Sequence, residues 1–151
     1  MRLFLRKATM EDAKDVLRWR NDPVTRENSF TRDEIDLDSH LTWFEKKLGQ
    51  EECFMYILMA DDEKVGNIRV DASEGVGEIS YMVAPEHRGK GYGKKMIGLL
   101  EAELSKDAKD APIHTLFGLT IKSNAASGKC FIANDYAGTE EKDSYKFTKS
   151  I

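Results

Sequence analysis

The chain has 151 residues, 40% hydrophobic and 33% charged, with a formal net charge of −4; that length supports one sizeable core and is too short for two ordinary domains, so a single domain over residues 1–151 is expected. Lysine and arginine are dispersed among aspartate and glutamate, leaving no broad positive field for a nucleic acid, and no run is long and apolar enough for a membrane span or a signal-peptide core, so a cytoplasmic protein away from the membrane is expected. Cys53 and Cys130 lie far apart without a Cys-x-x-Cys pattern, and His40, His87 and His114 are each isolated, which provides no metal-ligand spacing and reads both cysteines as buried free thiols.

Residues 2–7 alternate Leu3, Phe4 and Leu5 with basic neighbours and read as a first strand. Thr9, with Asp12 three residues on, can cap a helix whose Ala13, Val16 and Leu17 share one face. Asn21-Asp22-Pro23 ends that helix, because the residue before a proline is pushed out of helical geometry. A polar segment from Thr25 to Asp36 follows, carrying Arg26, Asn28, Ser29 and Phe30, then a second helix with Leu37, Leu41, Phe44 and Leu48 at helical spacing and Gly49 at its end. Loops so placed often carry recognition residues, since a scaffold holds their ends.

Three strand signals come next, Cys53–Ala60, Val65–Asp71 and Val76–Val83, and their short polar connections predict an antiparallel meander. After Pro85 the chain runs Arg88-Gly89-Lys90-Gly91-Tyr92-Gly93 into an amphipathic helix with Met96, Ile97, Leu100 and Leu104, which breaks up near Lys109–Pro112. His114–Ile121 reads as a further strand, Asn124 heads a short helix through Phe131, and Ser144–Lys149 alternates as a closing strand. The resulting order, β-α-α-β-β-β-α-β-α-β(β), is a mixed sheet with helices on its faces.

The glycine run is the centre of the chemistry. Three glycines at alternate positions remove side chains that would hold a ligand off the backbone, and Arg88 and Lys90 add positive charge. Neither familiar phosphate loop fits: a dinucleotide fingerprint would need glycine where Lys94 or Met96 stands, and a Walker loop would need it at Ala84, Arg88 or Ser123. What does fit is Arg-x-x-Gly-x-Gly between an apolar strand and a long helix, which resembles the acetyl-coenzyme A loop of the GCN5-related N-acetyltransferases.

That resemblance implies the acyl-CoA N-acyltransferase fold, acetyl-CoA as cofactor and a small-molecule amine as the other substrate. By it, the main chain of Met82 and Val83 would bond the pantetheine arm, and Arg88, Gly89, Lys90, Gly91, Tyr92 and Gly93 would cradle the pyrophosphate at a helix N-terminus. Lys90 reads equally as a solvated loop lysine. Asn124 in Asn124-Ala125-Ala126-Ser127 matches the family's second motif and would hold the pantetheine or acetyl end, or cap its helix, or both. Where many relatives have a proton-donating tyrosine this chain has Phe131, which leaves Tyr136 or water as substitute acid. Glu78, on the strand before the loop, is the candidate base or an exposed strand carboxylate.

The front half, with Trp19-Arg20-Asn21-Asp22-Pro23, Arg26, Asn28, Phe30, His40 and Trp43-Phe44, resembles relatives that acetylate nucleotide-linked amino sugars, and the resemblance makes Arg26, Asn28, Phe30 and His40 acceptor-binding candidates. Trp19, Trp43 and Phe44 read equally as core, and His40 as a satisfied helix histidine. Ribosomal-protein or peptide N-terminal acetylation, and a non-catalytic acetyl-CoA-binding module, are the alternatives. Monomer and homodimer both fit.

Overall fold

Strand β1 (Leu3–Lys7) pairs antiparallel with β2 (Cys53–Ala60), bringing the N-terminus to the edge of a seven-stranded sheet. The computed structural model describes residues 1–151. Its sheet order is β1-β2-β3-β4-β5-β7-β6, with β3 (Glu63–Ser73), β4 (Val76–Val83), β5 (Thr115–Ile121), β6 (Ala137–Glu140) and β7 (Ser144–Ser150). Every neighbouring pair is antiparallel except β4 and β5. The meander forms because its turns are tight: Asp61 (φ 54°), Glu74 (φ 51°) and Gly75 (φ 82°) take the left-handed geometry short hairpins need.

The helices are α1 (Ala13–Arg20), α2 (Pro23–Glu27), α3 (Leu37–Leu48), α4 (Tyr92–Asp107) and α5 (Ala125–Ile132). The expected order holds with one helix more. The Asn21-Asp22-Pro23 stop for α1 is also a start: Pro23 occupies the first turn of α2, and Asp22 accepts from the Val24 and Thr25 amides at 3.1 and 3.3 Å. Strand β6 is exposed at all four residues and exists by pairing with β7, so no apolar alternation announces it.

Strand β2 is buried on both faces and sends alternate side chains to two cores. Tyr56 and Leu58 join Ile68, Val70 and Ile79 beneath Met96, Ile97, Leu100 and Leu104 of α4. Met55, Ile57 and Met59 pack on the opposite face against Val16 and Trp19 of α1 and Phe44 of α3. Burying a leucine such as Leu100 contributes about 2 kcal/mol, and the four-residue spacing of α4 clamps the helix along the sheet. No helix is long and apolar enough to cross a membrane. The cysteines are unpaired as expected but half-buried, because Cys53 is the first residue of β2 and Cys130 lies on the flank of α5.

A polar knot ties the N-terminal segment to the meander. Asp12, almost fully buried, accepts from Arg6 at 2.8 Å through both oxygens, from Lys64 at 2.7 Å and from the Thr9 amide at 2.9 Å. Burial alone would raise its pKa; the hydrogen bonds from Arg6, Lys64 and Thr9 outweigh that and hold the carboxyl well below its ordinary range. A depressed folded pKa stabilises above the unfolded-chain value near pH 4 and loses that contribution as pH falls towards the folded value. Asp12→Asn is therefore expected to cost about 2 kcal/mol at neutral pH, less than a fully enclosed pair because Arg6 and Lys64 keep access to water. The deficit should shrink below pH 4 in urea titrations; a deficit constant from pH 7 to pH 2 would contradict this.

Candidate functional site

Strands β4 and β5 pair in parallel from Val76 and Thr115 to Ile79 and Gly118 and then separate, although β4 continues to Val83 and β5 to Ile121. Across β3, the Ala84 amide donates to the Val65 carbonyl at 2.9 Å, and the register is unbroken from there to Val76. Antiparallel pairing alternates, so Met82 and Ser80 direct their main chain to β3, whereas Tyr81 and Val83 direct theirs into the gap. This moves one expectation by a residue. The main chain of Met82 is paired with Asn67, and Tyr81 takes its place beside Val83.

Aromatic packing sits at the fork. The Phe131 ring occupies the space a side chain on Gly118 would need: its two Cε atoms lie 2.7 and 2.9 Å from the Cβ position, and its Cζ lies nearer still. The ring thus points end-on at Gly118, stacked on Phe147 at 5.4 Å and edge-on to Tyr81 and Tyr136 at 5.9 and 5.2 Å.

The glycine loop follows β4 through a 3-10 turn at Pro85–His87. Gly89 and Gly91 have φ of 78° and 79°, and a Cβ on either would meet nothing within 4 Å. Gly91 caps α4 without a side chain to accept from the first amides, so those donors have no side-chain partner. Gly93 serves packing instead, with the Tyr81 ring 3.0 Å from its Cβ position. Tyr92 is buried in the core beside His87, at 6.1 Å between rings, and contributes its amide alone to the loop. Arg88 is engaged elsewhere: its guanidinium donates to Asp22 Oδ2 at 2.6 Å and Thr25 Oγ1 at 2.8 Å, clasping α2. Lys90 Nζ lies 3.4 Å from His87 Nδ1, and His87 Nε2 lies 2.7 Å from Glu63.

Beside the fork lies a cleft of ≈ 500 Å³. Of the residues expected at a site, Asn28, Phe30, Glu78, Asn124 and the Met82 side chain line it. Asn124 caps α5 by accepting from the Ser127 amide at 3.3 Å, which leaves its Nδ2 free. Three expected residues are not brought to the cleft. Arg26 lies in the last turn of α2 and folds back on its own segment, donating to the Asn21 carbonyl at 3.2 Å. His40 is fully buried between the Trp43 and Phe44 rings, with Nε2 donating to the Ala13 carbonyl at 2.7 Å; burial lowers its pKa and keeps it neutral. Tyr136 is buried behind Phe131 with its hydroxyl unpartnered.

The cleft adds residues that the sequence reading does not assign to a site. Tyr81 presents its hydroxyl there, 2.8 Å from Ser127 Oγ, and burial raises the phenol pKa against that hydrogen bond. Arg20 and Arg69 place guanidinium carbons 4.5 and 4.9 Å from the Trp43 ring centre. An arginine within the apolar run Val65–Val70 was the available signal for Arg69. No cluster of histidine, cysteine and carboxylate side chains could hold a metal ion.

Residues 2–135 match a protein family described as the acetyltransferase (GNAT) domain. No curated protein sequence matches. Among solved structures, an aminoglycoside acetyltransferase in complex with coenzyme A and kanamycin is 19% identical, with 99% of this chain and 95% of that one covered at a TM-score of 0.81. Spermidine N-acetyltransferase from Vibrio cholerae, in complex with coenzyme A and spermine, is 13% identical, covering 98% and 95%, with a TM-score of 0.83. The ribosomal alpha-N-protein acetyltransferase RimL, in complex with coenzyme A, is 15% identical, covering 99% and 94%, at 0.83. At these identities the likeness is one of fold.

Because Phe131 points at Gly118, a hydroxyl on its Cζ has nowhere to go. Phe131→Tyr is expected to destabilise the protein by about 1–3 kcal/mol through overpacking. An unchanged thermal midpoint in calorimetry would mean that the ring has room to retreat.

Proposed function

The chain belongs to the acetyltransferase (GNAT) family, and from that premise we propose that it is an acetyl-CoA-dependent N-acetyltransferase acting on the primary amine of a small molecule, with a nucleotide-linked amino sugar as favoured acceptor. One observation carries this above the others: the main-chain groups of Tyr81 and Val83 face a gap in the sheet that ends at a glycine-lined, uncapped helix N-terminus. An extended chain ending in phosphates fits that arrangement, pairing with the strand edge and resting its anionic end on the α4 amides.

When bound, acetyl-CoA supplies an activated thioester carbonyl. The chain's own part is to hold and orient. The amides behind Gly89 and Gly91 take the pyrophosphate, and the backbone of Tyr81 and Val83, with Asn124 Nδ2, aligns the arm and offers a donor to the carbonyl oxygen. Arg88 joins the cradle only by exchanging Asp22 for phosphate. Glu78, a carboxylate with no hydrogen-bond partner on the cleft wall, draws the amine in and accepts its proton. Tyr81 stands where Phe131 cannot serve: burial keeps the proton on its Oη, and Ser127 Oγ steadies it.

Thiol release measured with uridine-diphosphate-linked amino sugars, peptide N-termini and polyamines tests the acceptor. Turnover of the sugars is expected, and acetylation of peptide termini without any of the sugars would overturn that choice. Gly91→Leu should raise the coenzyme A dissociation constant at least about tenfold while backbone strain costs the fold about 1–2 kcal/mol; unaltered affinity in calorimetry would remove the loop from the cofactor site. Tyr81→Phe is expected to lower kcat by about a hundredfold with coenzyme A affinity intact, the usual scale of a lost proton donor. A kcat within twofold of the parent would assign the proton to water.

A further inference from the structure

Charges removed from water are normally paired, and this molecule follows the rule closely: Asp12 is held by Arg6 and Lys64, Asp71 by Lys47 and Arg69, Asp22 by Arg88, and Glu101 by Lys149. Arg20 breaks it. It sits half-buried at the end of α1, lines the cleft, and makes neither an ion pair nor a side-chain hydrogen bond. Burial and the nearby charge of Arg69 both act against its protonated form.

Its neighbours do not relieve it. Trp43 supports the guanidinium at 4.5 Å and supplies no hydrogen-bond acceptor for its N–H donors. Arg69 lies on the same ring at 4.9 Å and divides its own donors between Asp71 Oδ2 at 2.8 Å and Ser80 Oγ at 3.3 Å. Asp71 also takes Lys47 at 2.9 Å, so one carboxylate already answers two cations. The acidic groups of the cleft lining are Glu78 and Asp33. Glu78 projects from the same sheet face as Ser80 and stands across the ladder from Asp71, and Asp33 is exposed on the rim.

We propose that Arg20, braced on Trp43 and flanked by Arg69, is an oxyanion subsite of the acceptor cleft, so that the amine acetylated here also carries a phosphate or carboxylate. The subsite rests on the cleft being the acceptor site, and it narrows the substrate class. A polyamine would meet two like charges on Trp43 and leave Arg20 unanswered. An acceptor with an anion at one end and an amine at the other satisfies Arg20 and Glu78 together. Arginine's planar fork suits either oxyanion through two parallel hydrogen bonds.

The test uses the full chain with Arg20→Met, which keeps the stem on Trp43, and Arg20→Lys, which keeps the charge and loses the fork. Acetyl transfer is compared within two pairs of amines, glucosamine 6-phosphate against glucosamine and glycine against glycinamide. The parent should favour at least one charged member by about tenfold or more in kcat/KM, as expected for a charge-assisted contact. The pair that shows the preference identifies the oxyanion. Arg20→Met should abolish it through KM, and Arg20→Lys should retain part of it. A ratio that survives Arg20→Met overturns the subsite, as does a parent ratio near one in both pairs when uridine diphosphate binding is also absent or indifferent to Arg20→Met. Uridine diphosphate is titrated in parallel with coenzyme A saturating, so that it cannot occupy the glycine loop; binding lost in Arg20→Met supports the subsite, and no binding by the parent, with no preference between amines, counts against it. Failure of coenzyme A itself to bind would defeat the acetyltransferase assignment, and the subsite would then be decided by whether uridine diphosphate binding by the parent is lost in Arg20→Met or survives it.

Discussion

The parting of β4 and β5 beyond Ile79 and Gly118 is the constraint on which the rest of the structure depends. Backbone groups without partners are costly inside a protein, so a sheet opens at its centre only where solvent or a ligand takes up the freed donors. Here the opening meets the cleft on one side and the uncapped start of α4 on the other. Helix α4 is fixed by Met96, Ile97, Leu100 and Leu104, all essentially buried, so the amides at its start stay aimed at the gap. The hydrophobic core thus sets the direction of the polar groups that matter.

The two faces of the sheet divide the work. The face under α4 and α5 carries Tyr81, Phe131 and the glycine loop, the surfaces suited to a long ligand with a phosphate end. The opposite face, under α1 and α3, is apolar along β2 and turns polar at Asn67, Arg69, Glu78 and Ser80, where the helices no longer cover it. The cleft is the place where the two faces communicate, because only there is the sheet open.

Most of the architecture was legible because it is written in periodicity: alternation in the meander, four-residue spacing in α4, glycines at the turn. The misplacements have local causes. A strand's inward and outward main-chain groups alternate residue by residue, and only the observed pairing of Ala84 with Val65 decides that Tyr81, and not Met82, faces the gap. Helix α2 hid within a polar stretch because its start depends on a cap and a proline rather than on an apolar face. His40 and Tyr136 carry polar atoms of the kind a site uses, yet aromatic neighbours enclose both. Arg20 and Arg69 went the other way: three elements converge on Trp43 to make them a pair, and no spacing along the chain records such a meeting.

The end-on contact between Phe131 and Gly118 binds two distant positions into one mutational unit. A phenol at 131 requires β5 to move away first, and any side chain at 118 requires the ring to leave. Each change alone carries a packing cost, so in a laboratory selection the aromatic at 131 and the glycine at 118 would be retained together more readily than either would be altered.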